Sequence, residues 1–401
     1  MTDPKIYLAI DNCFASKRWT RPADWAALIA DIGISYVECS ADTECDPLYM
    51  GKEYTKRWID QTKDACEKAG IHVANLYSGH GTYSTLGLAH WDPEVRQRFR
   101  DHWIKPQADT AQELGAGLGF FTHAFDNHVL QSPELYQEAF QELIRSFADL
   151  AQYAGEIGLK SIGVEQMYSP HQVPWTVSGA IDLLRQIYNI GKLPFYLTTD
   201  VGHMSGQRHF LKPTRETLCE AFGKAMENKL NHRLWLGLDA SRVLFDRAVK
   251  GDLCQNAATE QILQNAEQTP YLFADEADNS PYHWLKHVGC YSPIVHLQQN
   301  DGMSSPHWPF DAQHNEQGII HGKDVLTSLY KSYRQPDDPT LPPKSSEVVL
   351  TLEPFISTAG DNYTEIRNLE ASVAYWRQFI PADGMHLSKA VAMLDENIFC
   401  K

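Results

Sequence analysis

Short apolar runs alternate with long amphipathic segments along the whole chain. The runs are Ile6 to Ile10, Ser35 to Cys39 (carrying Glu38), Ile71 to Tyr77 and Gly117 to Thr122, then Ser161 to Glu165, Phe195 to Asp200, Ser292 to His296 and Val348 to Glu353. Each is short, rich in β-branched and aromatic residues and bounded by turn residues, which predicts a strand buried on both faces. Between them the 3.6-residue period returns. Pro22 to Ile32 carries Pro in its first turn, and Gly51 to Ala69 is closed by Gly70, a glycine placed to end a helix in the left-handed conformation. Asp92-Pro93 opens a helix reaching Leu114, Ser132-Pro133 one reaching Ile157, and a further helix runs from Thr176 to Ile190. Strand–helix units repeating every ~35–40 residues imply a parallel sheet with helical crossovers.

The rhythm breaks once. Asp200 and His296 are too far apart for one crossover, so residues 215–281 read as a mostly helical insertion, with Ala257 to Glu267 as one helix. Tyr282 to Val288 is a short helix before the seventh strand. The Pro-rich stretch Gln335 to Pro343 runs directly into the eighth strand and is a loop, not a domain linker. Asn362 to Phe379 is the last barrel helix, and Met385 to Leu394 adds a helical tail. Eight such strands close a (β/α)8 TIM barrel, so residues 1–401 are expected to form one α/β domain with an insertion between strands six and seven. An open doubly wound sheet would show a Gly-rich phosphate turn after its first strand; Asp11-Asn12-Cys13-Phe14 is not one.

Composition narrows the partners. A chain of 401 residues with 43% hydrophobic and 21% charged residues can bury a large core. The net charge of −16 and pI near 5.5 argue against nucleic acid and anionic membranes, which need basic surface. No run approaches the ~18 apolar residues of a membrane span, and the N-terminus enters a strand without a signal-peptide layout. The eight scattered Cys include no CxxC pair and read as reduced thiols. A cytoplasmic protein is expected.

The chemistry lies at the strand ends, which in a parallel barrel all open on one face. Strands five to eight end in Glu165, Asp200, His296 and Glu353. Taken singly, a strand-end carboxylate more often caps the next helix. Four converging residues, three carboxylates and an imidazole, suit Mn²⁺, Co²⁺ or Mg²⁺; a Zn²⁺ site would usually show more His or Cys. His203, three residues past Asp200, overlies the barrel mouth as a substrate or ligand-supporting residue. Gln298 and Gln299 follow His296 as candidate substrate contacts, and His80 and His123 end strands three and four as further pocket candidates. Trp19, Phe121, Tyr168, Trp308 and Phe355 are candidate apolar walls, and the remaining histidines read as surface residues.

Gly163-Val164-Glu165, Thr199-Asp200-Val201-Gly202-His203, Ile294-Val295-His296-Leu297-Gln298-Gln299 and Leu352-Glu353-Pro354-Phe355 together resemble the xylose-isomerase-like TIM-barrel superfamily of sugar isomerases and epimerases. The resemblance implies one divalent ion on Glu165, Asp200, His296 and Glu353, Mn²⁺ first and Mg²⁺, Co²⁺ or Zn²⁺ as alternatives. It makes Glu165 and Glu353 the pair that moves the substrate proton and His203 a substrate contact. Two features depart from the family: Gln299 stands where an acid is common, and Asn300-Asp301-Gly302 stands where ketose 3-epimerases carry an Arg. The expected activity is therefore aldose–ketose isomerisation of a small unphosphorylated monosaccharide through a metal-bound enediolate, by a homo-oligomer (dimer or tetramer). Ketose 3-epimerisation and inosose-type dehydration use the same site and are alternatives. An endonuclease IV-like phosphodiesterase and a non-catalytic sugar-binding barrel are more distant ones.

Overall fold

The computed structural model describes residues 2–78, 87–122, 124–227 and 234–396. Its strands are β1 (Lys5–Asp11), β2 (Tyr36–Ser40), β3 (His72–Ser78), β4 (Gly117–Phe120), β5 (Ile162–Glu165), β6 (Tyr196–Asp200), β7 (Ile294–Leu297) and β8 (Glu347–Leu352). They pair in sequence order, all parallel, and β1 closes the ring by bonding both β8 and β2. The chain is a (β/α)8 barrel. β4, β5 and β7 are buried along their full length, as strands covered by the bore on one face and helices on the other must be.

The helices start and stop where the expected caps lie. The Asp92 carboxylate accepts from the Glu94 and Val95 amides at the start of Pro93–Phe99. Ser132 and Thr176 likewise cap Pro133–Ile157 and Val177–Gly191, each such cap contributing roughly 1 kcal/mol. Gly70 ends Gly51–Ala69 at φ 69°, in the left-handed region only glycine enters freely.

Two details differ from the sequence expectation. The helix expected from Asp92 to Leu114 contains a wider π turn, Arg100–Ile104, just before Pro106. Proline has no amide to donate into the helix ladder, and the extra residue in the turn absorbs the mismatch. The tail is also not wholly helical. Met385–His386 forms a ninth strand, β9, antiparallel to the start of β1, before the helix Leu387–Glu396. β2 pairs only with Ile10 and Asp11 of β1, so the edge at Lys5 and Ile6 is open. Gly384, at φ 77°, turns the chain back to fill it.

The segment after β6 carries the helices Arg215–Met226, Asp239–Lys250 and Gln255–Gln268. They enclose a small core of their own around Leu218, Phe222, Phe245 and Ile262. Contacts that tie the segment to the barrel include Tyr271 stacked on Tyr136 at 3.8 Å, Trp235 edge-on against Phe210, and the Asp239 amide donating to Gln131.

Candidate metal centre

Glu165 and Asp200 are the last residues of β5 and β6, His296 lies within β7, and Glu353 directly follows β8. Asp200 and His296 are register partners across β6 and β7, so their side chains enter the bore side by side. Each of the four residues offers one ligand atom, and these atoms all lie within 4.8 Å of one another. All four side chains are buried. His296 Nδ1 stands 2.9 Å from Glu165 Oε1 and 3.3 Å from Glu353 Oε2.

Each side chain is aimed by neighbours. Asp200 Oδ1 accepts from the amides of Gly202 (2.6 Å) and His203 (3.1 Å) and from Gln298 Nε2 (2.8 Å). Gly202 is needed for that last bond, because a Cβ there would sit 2.4 Å from the Gln298 amide carbon. The Tyr77 hydroxyl donates to Glu165 Oε2, which leaves Oε1 facing the cluster. His296 Nε2 lies 2.7 Å from Glu38 Oε1.

The electrostatics follow from burial and crowding. Burial, reinforced by Asp200 and Glu165, pushes the Glu353 carboxyl well above the ordinary carboxylate range, with His296 opposing. Burial pushes Asp11 up in the same way, and its neighbour Glu38 adds to the effect. Burial works against a charged His296, but Glu353, Glu38 and Glu165 outweigh it and raise the imidazole. Burial would also raise Asp200, yet His203, His307, His296 and the Gly202 amide hold it below its usual value.

This donor set fits a divalent ion. Three carboxylates and one imidazole match the preference of a borderline-hard cation. Glu353 Oε2 is buried and receives no hydrogen bond from the described residues, as an oxygen reserved for a ligand would be. A second group, Asp200, His203 and His307, shares Asp200, and its ligand atoms also lie within 4.8 Å of one another.

The other expected residues fall in different places. His203 is buried; its Nδ1 donates to the Gln166 carbonyl at 2.8 Å, and its ring lies 4.2 Å from that of Tyr168. Gln298 is engaged with Asp200, with Ser305 and with the His307 amide. Gln299 is spent on the following loop: its Nε2 donates to Asn315 and the Ile320 carbonyl, and its Oε1 accepts from the Asn300 and Ile320 amides. His80 and His123 lie outside the described residues. Phe121 packs with Tyr77 and Met167 beside the bore, whereas Trp308 faces His314 and Trp19 faces Phe14.

One reading is corrected. His307, taken as a surface histidine, is buried: its ring stacks on Phe355 at 3.8 Å and its Nδ1 donates to the Glu353 carbonyl. Burial pushes its imidazole down to about 4, so it is neutral near pH 7. It sits at φ 52°, a conformation no sequence period announces. Tyr77, Asp11 and Glu38 also belong to the site and were not singled out. For Glu38 a signal existed, since it sits one residue before the end of the second apolar run, close to where the four candidate ligands sit in theirs.

A family model described as xylose isomerase-like TIM barrel matches residues 26–233, just over half of the chain. D-Erythrulose 1-phosphate 3-epimerase of Brucella abortus (strain 2308) is 20% identical over 313 residues, covering 74% of this chain and 79% of that protein. Among solved structures, a xylose isomerase candidate from Rhodospirillum rubrum ATCC 11170 superposes with a TM-score of 0.64 at 18% identity, covering 93% of this chain and 99% of that one. D-Psicose 3-epimerase superposes with a TM-score of 0.52 at 11% identity, covering 93% and 98% respectively. At such identities the solved structures speak to the fold.

Proposed function

The chain belongs to the xylose isomerase-like TIM-barrel family, and on that footing we propose that it is a divalent-metal-dependent sugar epimerase, inverting a small ketose at the carbon beside its carbonyl. The observation that carries the reading is the placement of two glutamates in one buried cluster. Glu165 and Glu353 come from β5 and β8, which β6 and β7 separate around the ring. The two carboxylates therefore approach the bore from different walls. A proton taken from one face of a carbon by one of them and returned to the other face by its partner inverts that carbon.

Glu165 is held by the Tyr77 hydroxyl so that Oε1 points to the substrate space. Glu353 is fixed by its own backbone, whose amide donates to the Leu297 carbonyl and whose carbonyl accepts from His307. A divalent ion on Glu165, Asp200, His296 and Glu353, with Mn²⁺ as the favoured species, would supply Lewis-acid polarisation of the sugar carbonyl. His203, held by the Gln166 carbonyl and packed on Tyr168, would hold a substrate hydroxyl.

The name of the curated relative supports epimerisation over the aldose–ketose isomerisation expected from sequence, while the Rhodospirillum rubrum neighbour carries the name of an isomerase. The curated relative is named for a 3-epimerisation, and its substrate is phosphorylated, so phosphorylated ketoses belong in the substrate panel beside free ones. Among the described residues no helix is long and apolar enough to cross a membrane.

The test is proton NMR in D₂O with Mn²⁺ and a panel of free and phosphorylated tetroses, pentoses and hexoses. Deuterium at C3 with the carbonyl unmoved is the expected result. Deuterium beside a newly placed carbonyl would replace the proposal with isomerisation. No turnover of any panel member would reject both.

A further inference from the structure

The four candidate ligands come from β5 to β8, but His296 spans the bore and meets the opposite wall. There its Nε2 stands 2.7 Å from Glu38 Oε1, on β2. The other oxygen of Glu38 accepts from Asn75 Nδ2 at 2.6 Å, on β3. Both side chains are fully buried. A buried carboxylate needs donors on its oxygens, and Glu38 has one on each.

We infer that Glu38 is a positioning residue for the metal centre: it binds the Nε2 proton of His296 and so presents Nδ1, the nitrogen nearest Glu165 and Glu353, to the ion. A ligating histidine commonly gives its second ring N–H to a carboxylate or carbonyl, which fixes the tautomer and the ring plane and makes the free nitrogen a better donor. The fold has been cleared for this contact. On β4, a Cβ at Gly117 would come within 2.8 Å of Asn75 Oδ1, and one at Gly119 within 3.2 Å of Asn75 Nδ2 and 2.9 Å of the Tyr77 ring. Glycine within a strand is destabilising relative to alanine. Two of them here leave room for the residues that hold Glu38 and Glu165. Tyr77 completes the frame, its ring edge-on to His296 with centroids 4.8 Å apart.

The inference rests on the metal reading of the site, and the experiment separates the two. Mn²⁺ affinity is measured by electron paramagnetic resonance on wild type, Glu38→Gln, Glu38→Ala and Asn75→Ala, with circular dichroism to confirm folding and the visible spectrum of the Co²⁺ form as a reporter of ligand geometry. Glutamine keeps an oxygen for Nε2–H but loses the charge, and alanine loses both. The expected result is a loss of Mn²⁺ affinity of about tenfold for Glu38→Gln and up to about 100-fold for Glu38→Ala, with an altered Co²⁺ spectrum. Asn75→Ala, which leaves His296 untouched, should show a smaller loss in the same direction and decides the matter if the Glu38 variants do not fold. Wild type that binds neither Mn²⁺ nor Co²⁺ would overturn the metal reading itself. Wild type that binds, with folded variants binding equally tightly and giving the same spectrum, would overturn the role of Glu38 alone.

Discussion

Replacing Glu44 with glutamine is expected to stabilise the protein at pH 8 and to do little at pH 4.5. Glu44 follows β2 by one helical turn and is buried, with the Trp58 indole donating to its Oε2 at 2.8 Å. Burial pushes its carboxyl from 4.5 up to about 7, with the Trp58 and Trp25 indoles opposing. The sign follows from proton counting. Below pH ~4.5 both folded and unfolded chains carry the proton. Between that value and about 7 the unfolded chain loses it while the folded chain keeps it, so stability falls as pH rises. Above pH ~7 the folded protein holds a buried anion and the loss is complete. At ~1.4 kcal/mol per pH unit the gap is worth about 3 kcal/mol. Glutamine is neutral throughout and its carbonyl can still accept from Trp58. Every other titrating group is common to both proteins and cancels in their difference. Thermal unfolding midpoints of the two, followed from pH 4.5 to 8, should diverge as pH rises, with the variant higher. Parallel curves, or a variant that loses ground with pH, would refute the reasoning.

Other outcomes follow from the centre. Glu165→Gln and Glu353→Gln should each lower turnover by about 10²–10⁴-fold with the far-ultraviolet spectrum unchanged; near-normal activity in both would remove them from the proton-moving role. Removing divalent ions with a chelator should abolish activity and lower the unfolding midpoint, both restored by Mn²⁺ in a concentration-dependent way, since an ion bound only by the folded state stabilises it by mass action. A midpoint indifferent to Mn²⁺ would count against the site. Gly202→Ala puts a Cβ 2.4 Å from the Gln298 amide carbon and should turn that amide away from Asp200, weakening Mn²⁺ binding in a protein that still folds; unchanged affinity would mean Gln298 does not aim Asp200.

The cluster of Glu165, Asp200, His296 and Glu353 was legible because each of the last four runs is short, β-rich and closes on one residue with metal chemistry. The same grammar reached Glu38 but passed over it, since Cys39 follows and blurs where the run ends. Alternation could also have separated Gln298 from Gln299. Side chains on a strand point in turn to opposite faces, so with His296 in the bore, Gln298 shares its face and Gln299 does not. The hydrogen bonds agree, Gln298 joining Asp200 and Gln299 joining Ile320. His307 was not legible: its burial comes from a loop residue at positive φ stacked on Phe355, a tertiary contact with no period. Nor was β9, whose two residues exist as a strand only because β2 leaves the start of β1 unpaired.

The charge balance of the bore argues for a cation independently of any motif. Asp11, Glu38, Glu165, Asp200 and Glu353 are all buried there, and among the described residues none of them pairs with a lysine or arginine. Among the described residues, the basic groups within 4 Å of Glu38, Glu165, Asp200 and Glu353 are histidines, and His307 is held neutral by its surroundings. Burying carboxylates without matching positive charge costs several kcal/mol each, so such clusters persist by taking up protons or by holding a metal ion. Proton uptake alone would explain the raised carboxyls of Asp11 and Glu353, but it gives no reason for the aiming. Gly202 is cleared so that Gln298 can reach both oxygens of Asp200, and Gly119 so that Asn75 and Tyr77 can each reach one oxygen of Glu38 and Glu165, leaving Glu38 Oε1 to His296 and Glu165 Oε1 to the cluster. A cluster that only needed neutralising would not need its oxygens turned inward. Coordination does.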